Sequence, residues 1–153
     1  MKSLIIGLIS AGLALSALAG DALQFHNPWV REAPPAVKVL AAFMTIANPT
    51  DQARELIKAE SVDFDSVELH ATVAEGGVMR MVQQEKMTIP ANGQLELKPG
   101  SFHIMLINAK RILTAGDEVK LTLHFQDGSQ ETVTAPVRKM EGMAGGEHQH
   151  HMH

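Results

Sequence analysis

The sequence predicts an all-β domain, an antiparallel sandwich or barrel. Downstream of Gly20, apolar residues alternate at period two instead of recurring at helical spacing. Turn signals (Asn48-Pro49, Asn92-Gly93, Pro99-Gly100 and Asp127-Gly128) punctuate the chain at short intervals. Seven or so short strands separated in this way, with no convincing helical stretch, are the pattern of a sandwich or barrel.

The elements follow in order. Lys2 precedes an uncharged run from Ser3 to Gly20, closed by Ala17-Leu18-Ala19, which reads as an export signal over residues 1–20. The run is short for a membrane span and no stop-transfer pattern follows it. The mature domain is expected over 21–137. Val37 to Ala47 is apolar on both faces and reads as a buried strand. Asp51 to Glu60 fits either one helical turn or an edge strand. Val62 to Val73, Val78 to Val82, Leu95 with Leu97, and Phe102 to Asn108 are further strands. Glu118 to Phe125 sets Val119, Leu121, Leu123 and Phe125 on one face, and Val133, Ala135 and Val137 form its hairpin return. Beyond Val137, residues 138–153 are rich in Gly, Met and His without apolar period and are expected to form a flexible tail.

Composition excludes several function classes. Loss of Lys2 with the signal leaves 12 of the 13 basic residues against 17 acidic ones, a net charge of −5 with no basic patch, so nucleic acid is not the partner. There is no cysteine, which removes thiol redox chemistry, iron–sulfur clusters, cysteine-type zinc sites and the thiolate of a blue-copper centre. No carboxylate pair suggests hydrolysis, and no G-x-S-x-G nucleophile motif is present.

Four residues carry a different chemistry. His103 and Met105 are two apart on one strand, hence on one face, with Phe102, Ile104 and Leu106 on the other. Val67 and Leu69 point inward, so His70 points to the opposite face, outward like His103 and Met105. If Glu75-Gly76 is a two-residue hairpin loop, His70 faces Met81 directly across the pair. Two imidazoles and two thioethers suit Cu(I) better than zinc, calcium or magnesium. Met79 shares the face of Met81 and is the candidate substitute ligand. Met44 and Met87 read as core, His124 as solvated on an outward face, and His26 as partnerless.

The spacing His70, ten residues, Met81, twenty-one residues, His103, one residue, Met105 resembles the signature of the periplasmic copper A chaperones. Segments such as VELH, GVMRM, IPANGQLELKPGSFHIML and GDEVKLTLHFQDG are also similar to that family, over about residues 27–137. The resemblance implies a periplasmic, cupredoxin-like Greek-key domain. It implies a copper chaperone holding Cu(I) through His70, Met81, His103 and Met105. The chain is expected to be a monomer and not an enzyme, since four protein ligands leave little room for an enzyme's open position. The implied acceptor is the copper A centre in subunit II of cytochrome c oxidase, served alongside a thiol-disulfide partner. Met140, Met143, His148, His150, His151, Met152 and His153 form a second candidate site that could wrap Cu(II), Ni(II) or Zn(II) with little selectivity, and the resemblance implies Cu(II). The competing readings are copper storage or resistance, with the tail as a sponge, and a small copper oxidoreductase, which would need an open coordination position.

Overall fold

Alternating aliphatic residues build ten strands and no helix in the computed structural model, which describes residues 22–140. The strands are β1 (Gln24–Arg31), β2 (Leu40–Asn48), β3 (Arg54–Glu60), β4 (Phe64–Glu75), β5 (Val78–Gln83), β6 (Met87–Ile89), β7 (Gly93–Leu97), β8 (Phe102–Ala109), β9 (Glu118–Phe125) and β10 (Gln130–Arg138). They form one hydrogen-bonded sheet in the order β5-β4-β8-β7-β2-β1-β10-β9-β3-β6, with β8 also pairing β2. The sheet is mixed, which departs from the purely antiparallel expectation. β1 pairs β10 in parallel through Val30↔Val137 and Arg31↔Arg138, and β7 meets β8 in parallel at Leu97↔Phe102. The β7–β8 contact is a single residue pair beside a short turn, whereas an extended parallel pair needs a long connection. β1 and β10, the first and last strands, have nearly the whole domain between them.

One face of each half of the sheet packs into a single apolar cluster. β2 contributes Leu40, Ala42, Met44 and Ile46, β8 Ile104 and Leu106, β9 Val119, Leu121, Leu123 and Phe125, and β10 Val133, Ala135 and Val137. A core shared by both halves requires the sheet to fold back on itself. No helix among the described residues is long and apolar enough to cross a membrane.

β1 and β6 have no counterpart in the sequence pattern, and β3 has one only as an alternative to a helical turn, each for a local reason. β3 lies between β9 and β6, so it is neither helix nor edge. Its register shifts between Leu56 and Lys58, and Ile57 is 44 % exposed. That irregularity separates buried Leu56 from buried Ala59 by three residues and imitates a helical period. β1 is likewise interrupted between His26 and Trp29, where Asn27 takes φ 49° ahead of Pro28. β6 is three residues long.

Candidate metal centre

The candidate residues come from three adjacent strands, β5, β4 and β8. His70 on β4 pairs with His103 on β8, and Glu68 pairs with Met105. Partners across a ladder share a face, so His70, His103, Met105 and Glu68 lie on the same side of the sheet. Phe102, Ile104 and Leu106 alternate to the other side, where Ile104 and Leu106 enter the core.

Met81 reaches that side by a different register from the expected one. The loop between β4 and β5 is Gly76-Gly77, closed by Glu75↔Val78, and Met81 pairs with Thr72 while His70 faces Gln83. Both loop glycines have positive φ, 59° and 78°. A two-residue turn with both central residues left-handed suits Gly-Gly, whereas the expected Glu75-Gly76 loop would force a side-chain-bearing residue into that region. The slip amounts to two residues, so parity survives. Met81 stands diagonal to His70 on the same face. The imidazole pair thus sits between Met105 on one side and Met81 on the other.

This face is not an open surface. His70 is 8 % and His103 3 % exposed, against 62 % for Met81. The two rings stack with centroids 5.8 Å apart at 29°. Phe43 of β2 flanks His103 at 6.5 Å, and Trp29 of β1 lies 4.9 Å from Phe43. Met81, His103 and Met105 line one cleft of about 290 Å³, whose opposite wall is Arg31 to Pro34 with Val39. The sequence pattern placed the histidines outside the apolar layer. The strands on either side and the segment after β1 bury them.

Each imidazole has one nitrogen engaged and one free. His70 Nε2 lies 2.6 Å from Glu68 Oε2. A carboxylate only accepts, so Nε2 carries the proton. His103 Nδ1 lies 3.2 Å from the Ser101 carbonyl oxygen and donates to it. The remaining atoms, His70 Nδ1 and His103 Nε2, are buried without a hydrogen-bond partner. In neutral rings those atoms are bare lone pairs. Burial holds the His103 pKa below the usual imidazole range. The bond to the Ser101 carbonyl opposes the shift, and the electrostatic effect of the neighbouring His70 adds a smaller lowering. Among the described residues, no group of three or more His, Cys, Asp or Glu side chains could hold a metal ion. A metal at this pair therefore calls for ligands of another kind, and the thioethers of Met81 and Met105 are on the same face.

Other candidates fall elsewhere. Met79 pairs with Ala74 on the same face and is 61 % exposed. Met44 and Met87 are core, as expected. His124 is not merely solvated: its Nε2 lies 2.7 Å from Glu60 Oε2. His26 is exposed on β1. Met140 lines a separate groove with Trp29, Arg138 and Lys139. Met143, His148, His150, His151, Met152 and His153 lie outside the described residues, as does the expected signal. The residue missed by sequence reasoning is Glu68. It is two before His70 on the same strand, so alternation alone could have placed it on the same face. Phe43 carried no such signal, because β2 is apolar on both faces.

Comparison with known proteins gives a consistent set. Residues 23–137 match a family model described as "Putative lipoprotein LpqE-like". A protein of Leifsonia xyli subsp. xyli described as a "Putative lipoprotein" is 33 % identical over 149 residues, covering 93 % of this chain and 89 % of that one. The solution structure of CuI-DR1885 from Deinococcus radiodurans is 34 % identical, with a TM-score of 0.60, covering 84 % of this chain and 85 % of that one. A copper-bound PCuAC domain from PmoF2 shares the fold at a TM-score of 0.66 and 22 % identity, covering 77 % of this chain and 93 % of that domain.

Proposed function

The chain belongs to the LpqE-like family, and from that premise we propose that it is an exported copper carrier that binds Cu(I) and passes it to a partner protein. The observation that supports this most is the pair of buried, stacked imidazoles with one bare nitrogen each, His70 Nδ1 and His103 Nε2. A buried acceptor without a partner is costly, and a metal ion is the partner that answers two such lone pairs together. In this reading the ion takes those nitrogens and the sulfur atoms of Met81 and Met105.

The donor set favours Cu(I). Two thioethers and two imidazoles are soft-to-borderline and uncharged, which disfavours the hard cations. Four protein donors leave no open position for a substrate, so the site suits carriage better than turnover. Release proceeds by ligand exchange at the exposed end. Met81 lies on the outermost strand, where an incoming donor can replace its sulfur while the buried imidazoles still hold the ion. The similarity to CuI-DR1885 supports the choice of metal. The resemblance of the His/Met spacing to copper A chaperones supports a periplasmic location and delivery to the copper A centre of cytochrome c oxidase, alongside a thiol-disulfide protein. Met140 and the Met/His residues after it are proposed as a second, Cu(II)-binding element.

X-ray absorption on the Cu(I)-loaded protein tests the site, with sulfur and nitrogen both expected in the first shell. Met81→Ala and Met105→Ala should each weaken Cu(I) binding far more than Zn(II) binding, as read by chelator competition. A shell without sulfur, or equal losses for both metals, would sink the assignment. Copper stoichiometry separates a carrier, at one or two ions per chain, from a storage protein that takes up more.

A further inference from the structure

We infer that Glu68 is a positioning residue for the metal site: its carboxylate fixes the His70 ring in the tautomer that leaves Nδ1 bare, and it supplies a negative charge beside the bound cation. The inference rests on the Cu(I) reading of His70 and His103. The carboxylate lies 2.6 Å from His70 Nε2, a charge-assisted hydrogen bond at the short end of the usual range. In water the two neutral tautomers of imidazole are close in energy, so a free His70 would present either nitrogen. An acceptor held against Nε2 selects one of them.

The fold holds Glu68 in place from two directions. It is two residues before His70 on β4, so both side chains leave the same face of the same strand. It is also the cross-strand partner of Met105 on β8. The carboxylate therefore sits between one proposed nitrogen ligand and one proposed sulfur ligand. The four ligands are neutral and Cu(I) carries one positive charge, so an adjacent anion offsets charge brought into a largely buried site. His103 has a counterpart in the Ser101 carbonyl oxygen, which is neutral. Glu68 is the charged member of this outer shell. Its side chain is 33 % exposed, which spares it the desolvation cost of a buried carboxylate.

Two variants separate hydrogen bond from charge. Glu68→Gln keeps a carbonyl oxygen that can accept from Nε2 but removes the charge. Glu68→Ala removes both. Long-range 15N–1H correlation spectra of the metal-free protein read the His70 tautomer directly and do not depend on copper. The parent should show a protonated Nε2 and a bare Nδ1, Glu68→Ala a mixture, and Glu68→Gln the parental tautomer. Chelator competition should show Cu(I) affinity falling about 10- to 100-fold in Glu68→Ala, and less in Glu68→Gln. An unchanged His70 tautomer in Glu68→Ala, unchanged Cu(I) affinity, or an oxygen in the first shell of the loaded parent would each overturn the positioning role. If instead the parent binds no Cu(I), the carrier reading fails, and the tautomer spectra still decide whether Glu68 orients His70. Thermal unfolding of both variants checks that the partly exposed position leaves the fold intact.

Discussion

His103 shows how a single residue links burial, protonation and stability. Its pKa is depressed chiefly by desolvation, with the bond to the Ser101 carbonyl opposing and the neighbouring His70 adding a smaller lowering. The unfolded imidazole titrates near ~6.5. Below that pH the unfolded chain takes up a proton that the folded chain resists until the lower, folded pKa is reached. Stability therefore falls as pH drops from about 6.5 to the folded value, and protonation removes the Nε2 lone pair over the lower part of that window. Urea midpoints of the metal-free protein should decrease from pH 7.5 to 5.5, and His103→Gln should flatten that slope. Parallel slopes for parent and variant would contradict the argument. Asn48 is a buried polar residue of another kind, because its amide is fully employed. Nδ2 donates to the carbonyl oxygens of Gln52 and Ile89, and Oδ1 accepts from the Thr50 backbone N–H and hydroxyl. It ties the turn after β2 to β6. Asn48→Ala would strand several of these groups, so a loss of about 1–3 kcal/mol is expected from denaturant unfolding.

At the scale of elements, the β4–β5 hairpin determines whether Met81 can reach the imidazoles. Period two makes the face of Met81 depend on the parity of the loop. Inserting one glycine between Gly76 and Gly77 should turn Met81 to the other face and weaken Cu(I) binding toward the level of Met81→Ala. The shared core, which lies on other strands, should keep its thermal midpoint within a few degrees. An insertion that leaves Cu(I) affinity unchanged would mean that Met81 is not a ligand or that the strand re-registers. The glycines themselves answer to backbone conformation and not to crowding. A Cβ at either position would meet nothing within 4 Å, yet both φ values are positive. Gly76→Ala or Gly77→Ala should cost about 1–2 kcal/mol locally. Hydrogen exchange in β5 should detect that loss more clearly than global unfolding, because β5 is an edge strand with all six residues exposed.

Over the whole molecule, one cluster joins both halves of the sheet, and the candidate metal centre lies on the face of the β8 half turned away from that cluster. With no cysteine in the sequence, the described fold rests on that cluster and the hydrogen-bonded sheet, not on disulfides. Leu121 is fully buried in the other half, on β9. Leu121→Ala should cost about 2–5 kcal/mol. The single tryptophan, Trp29, sits on the site half beside Phe43. Its fluorescence should follow the same shifted transition as circular dichroism if the halves unfold as one unit. Separate midpoints would show that the shared core does not couple them.

Local chemistry and period two were enough to establish the all-β class, the strands carrying His70, Met81, His103 and Met105, and the face from which these side chains leave the sheet. Those properties depend on neighbours two residues away, which sequence displays directly. The irregular strand β1 was hidden and β3 stayed ambiguous between strand and helical turn, because an interruption in register disturbs that same signal. The hairpin register, the parallel seam between β1 and β10, the depth of the histidines and the choice of free nitrogen on each ring came only with the tertiary structure. Each depends on groups brought together from distant segments: Phe43 against His103, Arg31 to Pro34 across the cleft, and β4 beside β8. Distance along the chain carries no record of those encounters until the strands have paired.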